Sequence, residues 1–239
     1  MQSIFKRYER KYIVTREQYA SLENVLSRHM EPDSFGEYLV QNLYYDTDGW
    51  DVIRNSIEKP AYKEKMRLRC YGDMNQESDL FFELKKKYNG IVYKRRMAIP
   101  AKTLPAGSVL DVVPSGASQI ARELDYYMKT NAVSGKIYIS YWRAAFAGIA
   151  DRELRVTFDT DIRFRLDSLD YFHPGDGHFI LPHNKMLMEV KTPGVMPVWL
   201  ARALCENKIF PTAFSKFGVC YTNYILKKPG MERMAPANA

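Results

Sequence analysis

Polar and apolar residues alternate along much of this chain, and the alternation is the signature of strands. In KEKMRLR, Lys63, Lys65, Arg67 and Arg69 take every second position, with Glu64, Met66, Leu68 and Cys70 between them. Successive side chains of a β-strand point to opposite faces, so the four cations share one face. The same parity recurs. FKRYERKYIV sets Arg7, Glu9 and Lys11 against Tyr8 and Tyr12, and FFELKKK sets Glu83, Lys85 and Lys87 against Phe82 and Leu84. After a turn at Asn89-Gly90, IVYKRRMAI aligns Lys94 with Arg96. ISYWRAAF aligns Tyr141 with Arg143, ELRVTFDT aligns Arg155, Thr157 and Asp159, and KMLMEVK aligns Lys185, Glu189 and Lys191. A solvated antiparallel sheet also alternates. These polar faces, however, are mostly cationic, with single glutamates at intervals. Cations stacked in this way repel unless a multiply charged anion lies between them. If the sheet closes into a barrel, the faces converge on one interior.

Helical periodicity fills the gaps. Thr15 and Gln18 form a capping-box pattern ahead of the stripe Leu22, Val25, Leu26 and Met30. The chain reads as strand 5–14, a helix from 15, strand 38–46, a short helix at 48–55, and strands at 61–71, 79–88 and 91–100. A loop at 101–115 leads to a helix over 117–130 and strands at 136–147, 152–160 and 162–166. A Gly/Pro-rich loop covers 167–184, followed by a strand at 185–191 and helices at 196–206 and 215–227. No repeat or linker divides it. One α+β domain is expected over 1–228, with a flexible tail over 229–239.

Bulk properties narrow the chemistry. A 46% hydrophobic share makes the chain globular, and a net charge of +7 calls for an anionic partner. Three dispersed cysteines, Cys70, Cys205 and Cys220, form neither a disulfide framework nor a zinc pattern, which suggests a reducing compartment. No signal peptide and no run of about 20 apolar residues is visible, so a cytoplasmic protein is expected. Seventeen tyrosines among basic residues could suggest nucleic acid. The cations sit on one side of many strands instead of on one patch, so no nucleic-acid partner is expected. No P-loop, dinucleotide-binding glycine motif or Ser-His-Asp pattern is present.

In order along the chain stand Arg7-x-Glu9-x-Lys11, NLYYDT (42–47), KEKMRLRCYG (63–72), FELKKK (82–87), YKRR (93–96), YWRAAF (141–146), LRVTFDT (154–160), MEVK (188–191) and SKF (215–217). This set resembles the VTC domain, the catalytic domain of the vacuolar transporter chaperone polyphosphate polymerase, which has bacterial relatives. That domain belongs to the triphosphate tunnel metalloenzymes, or CYTH superfamily. The resemblance implies a closed eight-stranded antiparallel β-barrel, a triphosphate tunnel with flanking helices. It further implies that Lys11, Arg67, Arg69, Lys85, Lys94, Arg143, Arg155 and Lys191 contact phosphate oxygens, with Arg7, Arg96, Tyr141, Ser215 and Lys216 as additional phosphate-binding residues. Arginine offers forked donors that match phosphate geometry. Glu189 matches the family's metal ligand for Mn²⁺ or Mg²⁺, with Glu9 and Glu83 as secondary ligands or charge partners. The plainer reading of Glu189 is an ion pair with Lys191 or another cation of the wall. Ser215 and Lys216 open a helix, whose N–H groups suit a phosphate; the plainer reading is a serine N-cap.

Two departures qualify the resemblance. Hydrolytic members of the superfamily begin Glu-x-Glu-x-Lys, whereas Arg7 stands at the first position here. That tilts the reading toward holding a long polyanion. Ala213 lies where the family often has a further lysine. The function implied is a polymerase that moves the γ-phosphoryl group of ATP onto polyphosphate. A triphosphatase and a non-catalytic polyphosphate or nucleotide sensor are the alternatives. Any membrane association would come through a separate membrane-protein partner.

Overall fold

A computed structural model of the protein describes residues 8–89, 91–104, 109–110 and 112–227. Arg7 and the tail at 229–239 lie outside the described residues. The strands are β1 (Tyr8–Thr15), β2 (Met30–Asp46), β3 (Tyr62–Tyr71), β4 (Asp79–Tyr88), β5 (Ile91–Pro100), β6 (Ser134–Gly148), β7 (Arg155–Arg165), β8 (His178–Phe179) and β9 (Lys185–Thr192). The helices are α1 (Arg16–His29), α2 (Asp51–Ile57), α3 (Gln119–Asn131), α4 (Val198–Glu206) and α5 (Lys216–Cys220). The fold is α+β, built on one mostly antiparallel sheet. Its hydrogen-bonded order is β1-β9-β7-β6-β2-β3-β4-β5, with β8 on β7. Eight strands lie on the path, as the resemblance implies. Among the described residues no ladder joins β5 back to β1, so hydrogen bonds do not close the sheet into the expected barrel. The basic run Lys94-Arg95-Arg96 and the terminal Pro100 are features of an edge strand, which resists further pairing.

The chain forms two compact units. The first comprises residues 1–40, 141–162 and 181–214. Its α1 starts where the sequence places it. Gln18 N–H donates to the Thr15 hydroxyl at 3.2 Å, and Thr15 N–H donates to the Gln18 side-chain oxygen at 3.0 Å, a complete capping box. Leu22 and Leu26 then pack on Tyr12, Val14, Val156, Phe158, Met188 and Val190. This core claims one face of β1, β7 and β9 and leaves their charged residues on the other. α1 ends at His29 because Glu31 precedes Pro32 and is biased toward extended backbone. β2 therefore starts at Met30, earlier than the expected residue 38.

The second unit comprises residues 41–140, 163–180 and 215–239. Met66, Leu68, Cys70, Leu80, Phe82 and Leu84 pack with Leu124 and Tyr127 of α3. Tyr171 is buried there; its hydroxyl donates to the Leu68 carbonyl at 2.8 Å and accepts from Leu43 N–H at 3.1 Å. This satisfied polar pair fixes the loop after β7 to the core.

The strands expected at 152–160 and 162–166 are one strand, β7. Asp161 within it has φ 46°, a left-handed kink that aspartate tolerates better than most residues. The loop expected at 167–184 contains β8, which pairs Phe179 with Arg163 and His178 with Phe164. The final helix is α-helical only to Cys220 and continues as a π-helical turn over Tyr221–Ile225.

Gly177 has φ +114°, and a Cβ there would lie 2.4 Å from the Phe164 carbonyl oxygen. Gly177→Ala should therefore lower the melting temperature, by a strain of about 1–3 kcal/mol or more. Gly194→Ala, where a Cβ meets nothing within 4 Å, serves as the control. Equal melting shifts for the two variants would refute the strain.

Candidate functional site

The parity read from the sequence holds on β3, β4 and β5. Antiparallel register aligns Lys63 with Lys87, Lys65 with Lys85 and Lys94, and Arg67 with Glu83 and Arg96. Arg69 lies opposite Phe81. The alternate residues Met66, Leu68, Leu80, Phe82 and Leu84 fill the core. One face of three adjacent strands thus carries eight cations around a single carboxylate.

That carboxylate organises the grid. Glu83 is 2% exposed. Its Oε2 accepts from Arg67 Nε at 2.8 Å and Nη2 at 2.6 Å. Lys94 Nζ lies 2.5 Å and Arg96 Nε 3.5 Å from Oε1, in ion-pair contacts. Burial alone would raise the Glu83 carboxyl, but Arg67, Arg69 and Lys94 override it and hold the group well below the usual carboxylate range. Arg69 is also buried and donates through Nε to Asn42 Oδ1 at 2.8 Å. Arg67 Nη1 donates to the Tyr44 hydroxyl at 3.2 Å, and the Arg96 guanidinium lies 3.8 Å from the Phe81 ring centroid. These supports orient the arginines.

Ser215 is the N-cap of α5, accepting from Gly218 N–H at 3.2 Å, and its hydroxyl also accepts from Lys65 Nζ at 3.2 Å. Lys216 is buried. The serine cap is thus real, and Ser215 also belongs to the lysine row. α5 spans five residues, so it offers little helix dipole for an anion.

The first unit carries a different cluster. β1 pairs β9, and β9 pairs β7, so Lys11 lies opposite Glu189, which lies opposite Thr157. Arg155 lies opposite Lys191. Lys11 Nζ is 3.3 Å from Glu189 and 3.4 Å from Glu9; Lys191 Nζ is 3.6 Å and Arg143 Nη2 3.8 Å from Glu189. Arg143 donates from Nε and Nη2 to Asp159 at 2.6 and 2.8 Å, and its guanidinium carbon sits 5.1 Å from the Tyr141 ring centroid. Burial would lower the Arg143 pKa, but Asp159 and the surrounding groups hold its charge firmly. Carboxylates and cations alternate here, in contrast to the grid.

The expected metal can be tested against these carboxylates. Among the described residues no group of three or more His, Cys, Asp or Glu is assembled for a metal. Glu189 and Glu9 flank the Lys11 ammonium at 3.3 and 3.4 Å. Such a pair fits a hard cation whose shell is completed by water and phosphate oxygens. Glu83 fits poorly, because three cations crowd its two oxygens.

Asp159, Asn42, Tyr44 and Phe81 were not singled out in the sequence as site residues. Asp159 has a signal, its shared parity with Arg155; the others are visible only once the strands are packed.

The molecule so far is an α+β protein whose sheet faces are paved with cations. It belongs to the VTC domain family, whose model matches residues 6–224. Among curated proteins, none matches this chain. Several solved structures are similar over most of their length. They include a candidate adenylate cyclase of Vibrio parahaemolyticus (13% identity, TM-score 0.48, covering 91% of this chain and 98% of that one). The PH1819 protein of Pyrococcus horikoshii gives 11% identity and TM-score 0.48, covering 90% and 99%. The Mimivirus capping enzyme triphosphatase gives 9% identity and TM-score 0.32, covering 83% and 86%.

Glu83→Gln tests the organising carboxylate. Removing one partner of a buried pair costs about 3–5 kcal/mol, so the variant should melt lower at pH 7. Because the folded Glu83 titrates below its ordinary value of 4.5, its stabilisation is complete above that pH and is lost as pH falls through the folded value. The melting gap between wild type and variant should hold from neutral pH to about 5 and narrow below it. A gap that widens on acidification would contradict the assignment.

Proposed function

We propose that this protein is a metal-dependent polyphosphate polymerase that transfers the γ-phosphoryl group of ATP to a growing polyphosphate chain. The observation that carries the reading is the β3–β4–β5 grid, a continuous cationic face with one carboxylate. A face of that composition is unfavourable unless it holds a multiply charged anion. Membership of the VTC family supports the same reading.

Arg67, Arg69, Lys85 and Lys94, with Arg96, Ser215 and Lys216, take phosphoryl oxygens in one cluster. Lys11, Arg143, Arg155 and Lys191, with Tyr141, do so in the other, and the resemblance adds Arg7 to the phosphate-binding residues. Glu83 is the charge partner that fixes Arg67 and Lys94. Glu189, with Glu9, would hold Mg²⁺ or Mn²⁺, which would neutralise charge on the transferring group. The bond from the γ-phosphorus to ADP breaks as one forms to a terminal oxygen of the acceptor chain, and ADP leaves. Positioned cations stabilise the equatorial oxygens while this happens. The tunnel is the architecture that the family resemblance implies for aligning donor and acceptor. Among the described residues no helix is long and apolar enough to cross a membrane.

Incubating the purified protein with ATP and Mn²⁺ tests the reading: long polymer supports it, free phosphate points to a triphosphatase, and binding without turnover to a sensor. Arg67→Ala and Arg69→Ala should each weaken tripolyphosphate binding by about 1.5–3 kcal/mol, and wild-type affinity should fall steeply with salt. Glu189→Gln should cut turnover sharply while polyphosphate binding survives or tightens. Unchanged metal-dependent turnover in that variant would remove Glu189 as the principal ligand. Lys216→Ala should impair elongation more than triphosphate binding; equal losses would make it one more cation of the wall.

A further inference from the structure

We infer that Asp159 is the positioning residue for Arg143, gripping one edge of its guanidinium so that the other edge is presented to a phosphoryl oxygen. The inference rests on the proposed phosphate-binding role of Arg143. Asp159 is fully buried, and its two oxygens accept from Nε at 2.6 Å and Nη2 at 2.8 Å. The guanidinium lies near the Tyr141 ring, and Nη2 approaches Glu189 at 3.8 Å. Nη1 is in no hydrogen bond among the described residues. It projects from a guanidinium fixed on its opposite edge.

Charge counting alone makes Asp159 a liability in an anion site, since it cancels the charge of Arg143. Burying an ion pair also yields little net stability compared with apolar residues of the same volume. What the pair supplies is orientation. An arginine side chain has many rotamers, and a bidentate partner removes that freedom before the ligand arrives. The two accounts predict opposite signs, because a counter-ion that is removed strengthens anion binding whereas a positioner that is removed weakens it.

Tripolyphosphate titrations on the full chain, without nucleotide and alongside thermal melts, separate them. Asp159→Asn should weaken tripolyphosphate binding about tenfold although it raises the net charge by one. Asp159→Glu keeps the charge and moves the carboxylate by one methylene, and should also weaken binding. Arg143→Lys keeps a cation and loses the fork, so it tests the grip from the other side should an aspartate variant fail to fold. It should lose about as much, and Arg143→Lys with Asp159→Asn should lose no more than the larger single variant. Equal or tighter binding by Asp159→Asn, or unchanged binding by Arg143→Lys, overturns the positioning role. A wild type that does not bind tripolyphosphate overturns the functional reading instead, so the two failures are distinct.

Discussion

Repulsion between like charges on one sheet face is the constraint around which this protein is built. At a separation of about 5 Å and an effective dielectric near 20, two unit charges repel by about 3 kcal/mol. The rows Lys65-Lys85-Lys94 and Arg67-Glu83-Arg96 put such neighbours side by side. The fold tolerates them because Glu83 is buried among them and because the opposite face of the same strands is fully committed to the core through Met66, Leu68, Phe82 and Leu84. A register slip of one residue would bury the cations and expose that core, so the hydrophobic face fixes the charged one.

The two clusters solve the same electrostatic problem differently. On β3, β4 and β5 one carboxylate serves many cations, and the surplus of positive charge is what a long polyanion would satisfy. On β1, β9 and β7 the carboxylates Glu9, Glu189 and Asp159 alternate with Lys11, Lys191 and Arg143. Such a surface is close to neutral and has fixed donors and acceptors at defined positions.

Much of this was legible in the chain because period-two parity is a local property. KEKMRLR and FELKKK display their faces without any knowledge of partners, and Thr15 and Gln18 announce the start of α1. Boundaries were less legible. The run from Met30 to residue 37 does not alternate cleanly, so β2 looks shorter than it is, and Asp161 hides the continuity of β7 behind a kink.

The sequence by itself determined the strand character of the alternating segments, their core faces and the sign of the opposite faces, which depend only on residue type and spacing, and its ordered motifs carried the family resemblance. Tertiary structure decided which cations share a carboxylate, that Glu83 is enclosed by arginine and lysine, that Asp159 grips Arg143, and that Ser215 meets Lys65. These contacts join residues from 11 to 150 positions apart. Only strand order and register bring such residues together, and neither is encoded in the period of any one segment.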